Sequence, residues 1–412
     1  MKAWVRPDVP TLATPGRLPR VHDTASSSLV ESGPQTGEAR LYVCGITPYD
    51  ATHLGHANTY LAFDLLQRAW LDAGLSVNYT QNVTDVDDPL LERAAATGVR
   101  WEDLGDEQVE LFRADMAALN ILPPQHYIGA VESIPLVVDL IQRLRATGLI
   151  YQVDDPQFPD WYFATAQAPG FLSESHLDLQ TAIQLFGERG GDPDRPGKRD
   201  PLDCLVWQLA RDGEPSWDSA LGRGRPGWHI ECAAIALEYL GEAFDVQGGG
   251  SDLIFPHHDM CAAEATAATG EPFARAYVHA GMVGYEGEKM SKSKGNLVLV
   301  SQLREAGEDP MAIRLALLDH HYRSDWDWTD ADLARGRVRL DHWRSLLNEP
   351  STLSADSLAE AVRATMSRDL NSPAALVAVD QWVAAATDIE GDDTDGPRVF
   401  AQTVDALLGV RL

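Results

Sequence analysis

The chain has 412 residues, more than one ordinary domain contains and enough for two or three. Its 62 acidic residues outnumber 33 Lys and Arg and give a formal net charge of −29, which counts against binding of nucleic-acid phosphates except at a local basic patch. No apolar run approaches the length of a membrane span and the N-terminus has no apolar leader, so we expect a cytoplasmic protein that binds no membrane.

The first part of the chain predicts a strand–helix–strand unit. Residues 1–40 are rich in Pro, Ser, Thr and Gly and predict an irregular arm with short strands. Residues 41–45 have the pattern of a buried strand, and residues 77–83 have the pattern of the next. Residues 57–74 between them are helical in period, with an apolar face made of Ala62, Leu65, Leu66 and Ala69. This order of elements predicts a parallel sheet.

The remainder of the chain divides by composition. Residues 122–215 hold many Pro, Gly and Asp and predict an inserted connective subdomain. Strand and helix alternation then resumes, with a strand predicted at residues 277–279, and the pattern is helical from residue 301 onward. The predicted fold is therefore α/β, with a sheet domain split between 1–121 and 216–300, the insertion 122–215, and a C-terminal helical region at 301–412.

Three short motifs together indicate a nucleotide site. His53 and His56 stand where the first predicted strand passes into its helix, a point at which backbone N–H groups and the helix dipole favour phosphate. Residues 289–293 supply two lysines and two serines on a loop that could close over a triphosphate. The glycines at 248–250 allow close approach of a ligand, and Asp252 could accept from a ribose hydroxyl. Each motif alone also fits a solvated loop, but their combination in this order favours ATP.

A second cluster indicates a metal. Cys232 and the pair His257 and His258 offer thiolate and imidazole, the ligands that Zn²⁺ prefers. Three protein ligands would leave one position open, which the thiolate of a cysteine substrate could fill and a serine hydroxyl could not. The alternative for any single cysteine is a small core side chain, and Cys204 is assigned that role. Cys261 lies four residues after His257 and is open between a fourth ligand, a neighbouring thiol and a core residue.

These residues closely resemble those of cysteinyl-tRNA synthetases. The resemblance extends over about residues 40–335 and is carried by six segments: residues 42–45, 53–56, 82–88, 226–232, 248–258 and 289–293. It implies a Rossmann-like class I synthetase catalytic domain followed by a stem-contact region. It also implies one zinc ion per chain, held by Cys44, Cys232 and His257, which binds the thiolate of the substrate cysteine.

Four departures from that family favour its shorter paralogue. The region after the Lys/Ser loop is too short for an anticodon-binding domain, and the surface is strongly acidic. Gln247 stands where the synthetases have His before the glycine run, and Cys261 stands where they have a Glu ligand. The chain is therefore more similar to the mycothiol cysteine ligase family over nearly its whole length, and Cys261 is left out of the expected ligand set.

The resemblance to these ligases implies a reaction in two steps. L-Cysteine and ATP, which carries Mg²⁺, would give cysteinyl-adenylate and diphosphate. The amine of a glucosaminyl-inositol would then release AMP and form an amide, which makes the protein an AMP-forming carbon–nitrogen ligase of mycothiol biosynthesis. No tRNA partner is expected, and the protein is expected to be a monomer. A minimal cysteinyl-tRNA synthetase is the alternative. An inactive synthetase-like module is disfavoured because every motif residue is present.

The resemblance also implies a set of site residues. The expected catalytic residues are His53, His56, Lys289 and Lys292. The expected adenylate-binding residues are Cys44, Gly45, Ile46, Thr47, Thr59, Asn82, Val83, Thr84, Trp228, Gly250, Ser251, Asp252 and Val283. The general base of the second step is not identified, and Asp252 or the carboxylates near Asp85 are no more than candidates.

Overall fold

The computed structural model describes residues 1–49, 52–290, 295–348, 355–387 and 395–412, with the backbone alone at 289, 348, 355 and 356. Its strands are, in chain order, β1 (Arg20–Asp23), β2 (Ser28–Glu31), β3 (Glu38–Val43), β4 (Ser76–Val83), β5 (His126–Gly129), β6 (Ile150–Gln152), β7 (Trp161–Phe163), β8 (Cys204–Leu209), β9 (Gly224–Pro226), β10 (Val246–Gly250), β11 (Tyr277–Ala280), β12 (Val283–Tyr285), β13 (Glu288–Lys289) and β14 (Trp326–Trp328).

Helices cover most of the rest of the described chain. They are α1 (Leu54–Asp72), α2 (Asp88–Thr97), α3 (Trp101–Ala118), α4 (Ala130–Ala146), α5 (Leu179–Glu188), α6 (Trp228–Leu240), α7 (Asp259–Thr269), α8 (Val300–Glu305), α9 (Pro310–Leu318), α10 (Asp330–Ser345), α11 (Ala355–Met366), α12 (Ser372–Thr387) and α13 (Gly396–Leu408). Among these helices, none combines the length and apolarity that a membrane crossing needs.

The central sheet has five parallel strands in the order β11–β10–β3–β4–β5, which confirms the predicted α/β fold with a parallel sheet. Alternate side chains of β3 enter different cores. Leu41 and Val43 pack with α1 in one cluster, whereas Tyr42 packs with α4 and α6 in another. The sheet is therefore covered on both faces, as parallel sheets are.

The insertion needs one correction. β5 lies inside the range 122–215 that was assigned to it, yet β5 pairs with β4 as an edge strand of the central sheet. The break at Pro123 and Pro124 marks a loop within the sheet domain and not its boundary. A separate antiparallel sheet of four strands, β6–β7–β8–β9, begins only at Ile150 and ends at Pro226.

The region after residue 301 is mostly helical, as predicted, but it also contributes a strand. β14 pairs in parallel with β12, and β12 pairs with β13, so that β12 lies between residues 326–328 and the start of the Lys/Ser loop. The C-terminal helices pack against the same apolar cluster as α1, which includes Trp70, Trp343 and Phe400. The C-terminal region thus shares a core with the helix that begins at the His53 turn.

Candidate active site and metal centre

A cavity of about 850 Å³ opens at the carboxyl ends of β3, β10 and β11. Open parallel sheets bind ligands at this edge. Eleven of the residues expected in the site line this cavity: Cys44, Gly45, Ile46, Thr47, His53, His56, Thr59, Trp228, Gly250, Asp252 and Val283. The motifs on which the ATP hypothesis depends therefore meet in one place.

The His53 turn is held by its own hydrogen bonds. His53 caps α1, and its Nδ1 accepts from the N–H of Gly55 at 3.1 Å. The rings of His53 and His56 stack with centroids 3.8 Å apart, so both imidazoles lie together at the N-terminus of the helix. Thr59 donates to the carbonyl of Gly55 at 3.1 Å, one turn further on. This arrangement directs imidazoles and helix N–H groups toward one anion position.

Asn82, Val83 and Thr84 are buried and lie outside the cavity lining. Asn82 accepts from the N–H of Gly45 at 2.7 Å through Oδ1 and donates to the hydroxyl of Thr84 at 3.1 Å through Nδ2. A Cβ on Gly45 would lie 1.6 Å from the carbonyl oxygen of Asn82, so only glycine fits there. Contact with the adenylate was expected of these three residues and stays a prediction, while Asn82 also supports the backbone just after β3. Ser251 also lies outside the lining, in the short turn after Gly250.

The Lys/Ser loop is only partly described. Met290 lines the cavity, and the backbone of Lys289 pairs with Gly284 between β13 and β12. Lys292 lies outside the described residues, as does the side chain of Lys289. The catalytic roles of these two lysines stay predictions.

The thiols of Cys44 and Cys232 and the imidazole of His257 converge beside the cavity. Their ligand atoms all lie within 4.8 Å of one another, all three residues are buried, and the group could hold a metal ion. Three separate elements supply them: the residue after β3, the first turns of α6, and the short segment Ile254–His258. Two thiols and an imidazole are a donor set that fits Zn²⁺ with one position left open.

The electrostatics of the cysteines also fit a metal. Burial disfavours the thiolate of Cys232, but hydrogen bonds from Cys261 and Cys44 and the proximity of His257 outweigh it and hold the pKa of Cys232 well below its usual range. Burial and the neighbouring Cys232 raise the pKa of Cys44. Without an ion only one of the two thiols ionises readily, and a divalent cation would stabilise both as thiolates.

Further side chains hold the ligands in place. His229 and His257 approach through their Nδ1 atoms at 3.1 Å, and the indole of Trp228 stacks on His257 at 4.2 Å. Cys261 donates to the backbone carbonyl of His229 at 3.1 Å and lies 3.8 Å from Nε2 of His257, outside the group of three. Cys204 is buried between Thr165 and Glu264, in agreement with its assignment to the core.

Sequence reasoning missed a buried chain of hydrogen bonds behind Cys44. Nε2 of His258 lies 3.2 Å from the Cys44 sulfur, and Nδ1 of His258 lies 2.8 Å from His279, which contacts Thr24 at 2.7 Å. Glu174 lies 3.5 Å from His279 and belongs with the two histidines to a second group of potential ligands. Only the resemblance at 248–258 pointed toward this region, and nothing in the sequence indicated Glu174.

Sequence reasoning gave a role to only part of one wall of the cavity. Asp87, Asp88 and Glu92 line this wall from the start of α2, and Gln208 and Arg225 line it from the antiparallel sheet. The carboxylates near Asp85 were named as candidates for the general base of the second step, but Glu92, Gln208 and Arg225 were given no role. The five residues come from segments more than one hundred positions apart, so only the fold could show that they meet.

Comparisons with known proteins agree with this geometry. The family described as tRNA synthetases class I (C) catalytic domain matches residues 31–337. The L-cysteine:1D-myo-inositol 2-amino-2-deoxy-alpha-D-glucopyranoside ligases of Kribbella flavida and Streptomyces coelicolor are 60% and 59% identical to this chain, each over 414 residues and all of both chains. The relative of the same name from Catenulispora acidiphila is 59% identical over 431 residues, again over all of both chains.

Solved structures share the fold at low identity. A Mycobacterium tuberculosis methionyl-tRNA synthetase in complex with methionyl-adenylate has a TM-score of 0.61 at 18% identity, covering 90% of this chain and 89% of that one. An Agrobacterium radiobacter leucyl-tRNA synthetase complex has a TM-score of 0.64 at 12% identity, covering 90% and 83%. This chain belongs to the class I synthetase (C) family and, within it, to the family of L-cysteine:1D-myo-inositol 2-amino-2-deoxy-alpha-D-glucopyranoside ligases.

Proposed function

We propose that this protein joins the carboxyl group of L-cysteine to the amine of a 2-amino-2-deoxyglucopyranosyl myo-inositol, with ATP converted to AMP and diphosphate, as a step of mycothiol biosynthesis. The observation that carries the proposal is identity of 59–60% over the full length of relatives with this named activity. The cavity adds support because it brings the His53 turn beside a group of three potential metal ligands.

The first step would form cysteinyl-adenylate. The carboxylate of cysteine attacks the α-phosphorus of ATP, and His53 and His56 stabilise the charge that develops on the departing diphosphate. Lys289 and Lys292 would add positive charge from the loop, and Mg²⁺ would accompany the triphosphate. Thr47, Thr59, Gly250, Asp252 and Val283 would line the adenylate, since all five line the cavity.

Selection of cysteine would depend on the metal-ligand group. We propose that Cys44, Cys232 and His257 hold one zinc ion, because their donor atoms and burial fit it. When bound, the ion supplies an open position that a substrate thiolate occupies and that a serine hydroxyl occupies poorly. Trp228 and His229 hold His257 in position by stacking and by the contact between Nδ1 atoms. The pocket thereby selects for sulfur without a separate editing step.

The family match also favours a second candidate, a compact cysteinyl-tRNA synthetase. It would carry out the same first step with a tRNA hydroxyl as acceptor. The net charge of −29 opposes it, because tRNA binding relies on neutralised phosphates.

Three further expectations are part of the proposal. All four cysteines are free, which suits a reducing cytoplasm. The protein is expected to act as a monomer. The division into a split catalytic domain, an insertion and a C-terminal region is retained, with β5 moved to the catalytic domain.

An acceptor competition tests the proposal. Purified protein, ATP and L-cysteine are incubated with either the glucosaminyl-inositol or cysteine tRNA, and AMP release and product mass are followed. Amide formed only with the amino sugar is the expected result. Charging of the tRNA would establish the synthetase instead, and cysteine activation without either product would refute both assignments of the acceptor.

A further inference from the structure

The part of the cavity that the first half-reaction leaves unused has a distinctive wall, which we name the acidic chamber. It is lined by Asp87, Asp88 and Glu92 at the start of α2 and by Gln208 and Arg225 from β8 and β9. The chamber is continuous with the cavity that holds Cys44, the His53 turn and Trp228. A molecule bound in it would therefore lie beside an activated cysteine.

The guanidinium groups of this wall are held by other groups of the protein. Arg225 is buried and ion-paired with Asp88 and, at 3.3 Å, with Glu214 of the antiparallel sheet. Arg189, which also lines the cavity, donates to the backbone carbonyl of Asp252 at 2.8 Å. The charge of Arg225 is therefore compensated by carboxylates, whereas Arg189 is fixed by a carbonyl and keeps its charge.

Two carboxylates of the chamber make no ion pair. Within the part of the chain that the structure describes, neither Asp87 nor Glu92 lies at ion-pair distance from a basic group. Asp87 is the N-cap of α2, and its Oδ1 accepts from the N–H of Asp88 at 2.8 Å, which fixes the carboxylate in the wall. Burial raises the pKa of Asp87 to about 6, and the charges of Arg225 and His257 offset that rise only in part.

We propose that the acidic chamber is the acceptor subsite and binds a protonated amino sugar, with the carboxylate of Asp87 as the partner of its ammonium group. The inference rests on the proposed function and names residues for its second substrate. Glu92 and Gln208 offer acceptors and donors to sugar hydroxyls, as a polyol requires. A cationic acceptor would give these carboxylates an ion-pair partner.

The same position would let Asp87 remove a proton. An ammonium cannot attack a carbonyl, so Asp87 takes one proton and the free amine attacks the cysteinyl carbonyl carbon. As the new C–N bond forms, the bond from that carbon to the AMP oxygen breaks, and the second nitrogen proton leaves with the AMP phosphate. The nitrogen that began as NH₃⁺ ends as an amide N–H, and Asp87 returns its proton to water.

Asp87→Asn is the sharpest test, because Asn caps a helix as well as Asp and only the charge and basicity are lost. Two assays are run on each variant: cysteine-dependent ATP–diphosphate exchange for the first step, and amide formation with the glucosaminyl-inositol for both. We expect the ratio of amide kcat/KM to exchange rate to fall on the order of 100-fold in Asp87→Asn. Glu92→Gln should raise KM for the amino sugar roughly threefold with little change in kcat.

Asp139→Asn is the matched control, since Asp139 is exposed on α4 away from the cavity, and it should keep the wild-type ratio. A neutral analogue with a hydroxyl in place of the amine gives a second readout. Wild-type protein should bind the amine more tightly than the analogue, and Asp87→Asn should not discriminate between them.

Three outcomes overturn the proposal in distinguishable ways. If the wild type makes the amide and Asp87→Asn keeps both rates, the subsite is wrong and the ligase function stands. If Asp87→Asn loses both rates equally, Asp87 serves the cysteine site or the fold. If the wild type activates cysteine but makes no amide, the proposed function fails and the subsite fails with it.

Discussion

A buried cluster of charges joins α1 to the C-terminal region. Asp64, Arg68 and Arg314 are each completely buried. Asp64 accepts from Arg68 at 2.8 Å and from Arg314, while its other oxygen accepts from the N–H of Leu122 at 2.9 Å. Arg314 also donates to the carbonyl of Leu408 at 2.7 Å, at the end of α13. Asp64 thus forms ion pairs with two guanidinium groups that hold the last helix against the first, and Asp405 adds a second carboxylate 3.7 Å from Arg68.

Asp64→Asn keeps the shape of this side chain and removes its charge. It removes the ion pair of the buried Arg314 and leaves the buried Arg68 with Asp405 at 3.7 Å, a change that typically costs about 3–5 kcal/mol. Domains are stable by only about 5–15 kcal/mol, so the loss would be a large part of the total. With a denaturant dependence of about 3 kcal/mol per M, the urea midpoint should fall by roughly 1 M or more.

The assay is urea unfolding followed by tryptophan fluorescence and far-ultraviolet circular dichroism, with cysteine-dependent ATP–diphosphate exchange measured at low urea. Glu308→Gln is the control, because the Glu308 pair with Arg337 is exposed and such pairs contribute about 0–1 kcal/mol. A midpoint for Asp64→Asn within error of the Glu308→Gln midpoint would refute the reasoning.

The pH dependence of this cluster has a definite sign. Burial raises the pKa of Asp64, but Arg68 and Arg314 outweigh it, so the pKa is below its ordinary value. The stabilisation is therefore complete above the ordinary pKa of aspartate and is lost as the pH falls through the depressed one. The difference in stability between wild type and Asp64→Asn should be full at neutral pH and should shrink in strong acid.

Three other predictions concern the site and its support. Cys232→Ser should lose bound zinc, as measured by mass spectrometry of the metal. Its rate of cysteine activation should fall by more than the roughly 10–100-fold that follows when outer contacts of a metal site are removed. Full retention of zinc would contradict the ligand assignment. Gly248→Ala would place a Cβ 2.3 Å from the ring of Phe63 and should lower stability by about 1–3 kcal/mol in thermal or urea unfolding, whereas unchanged unfolding would show that the ring can move. Burial raises the pKa of Asp85 to about 6, so ionisation of Asp85 in the folded state is disfavoured. The contribution of Asp85 to stability therefore declines as the pH rises from about 4 to 6. Asp85→Asn should remove that decline in urea unfolding at several pH values, and an unchanged pH profile would argue against the pKa shift.

The parts of the fold that sequence predicted are those with local patterns. The strand before the His53 turn, helix α1 and strand β4 follow one another within about fifty residues, and each has its own period of apolar side chains. The structure places them as predicted, with β3 beside β4 in parallel. The local preferences of this turn, helix and strand agree with the tertiary fold, so the sequence pattern alone was sufficient to predict them.

The strands that sequence missed have no such pattern. β5 and β14 are four and three residues long, too short to show alternation. Each exists because it pairs with a distant strand, β5 with β4 and β14 with β12. The pairing of short strands is decided by tertiary contacts, which is also why the boundary of the insertion was placed too early.

The metal-ligand group shows the limit of spacing as a signal. Cys44, Cys232 and His257 have no short motif in common, and only resemblance to a family brought them together before the structure was known. The fold explains the convergence, because β3 ends, α6 begins and the segment before α7 lies at the same edge of the sheet. The neighbours that set the cysteine pKa, such as Cys261, follow from that packing and from nothing local.

Charge is the property whose meaning changed most between sequence and structure. The net charge of −29 indicates a surface that repels phosphate, but a net charge does not show where a substrate binds. Asp87 and Glu92 would pass for ordinary acidic residues at the start of a helix, where the dipole favours them. Only the fold shows that Arg225, which comes from another sheet, forms its ion pair with Asp88, whereas Asp87 and Glu92 line the cavity without an ion pair to any described residue. The field that repels a polyphosphate attracts an ammonium, so an amino sugar is the acceptor to which this wall is complementary.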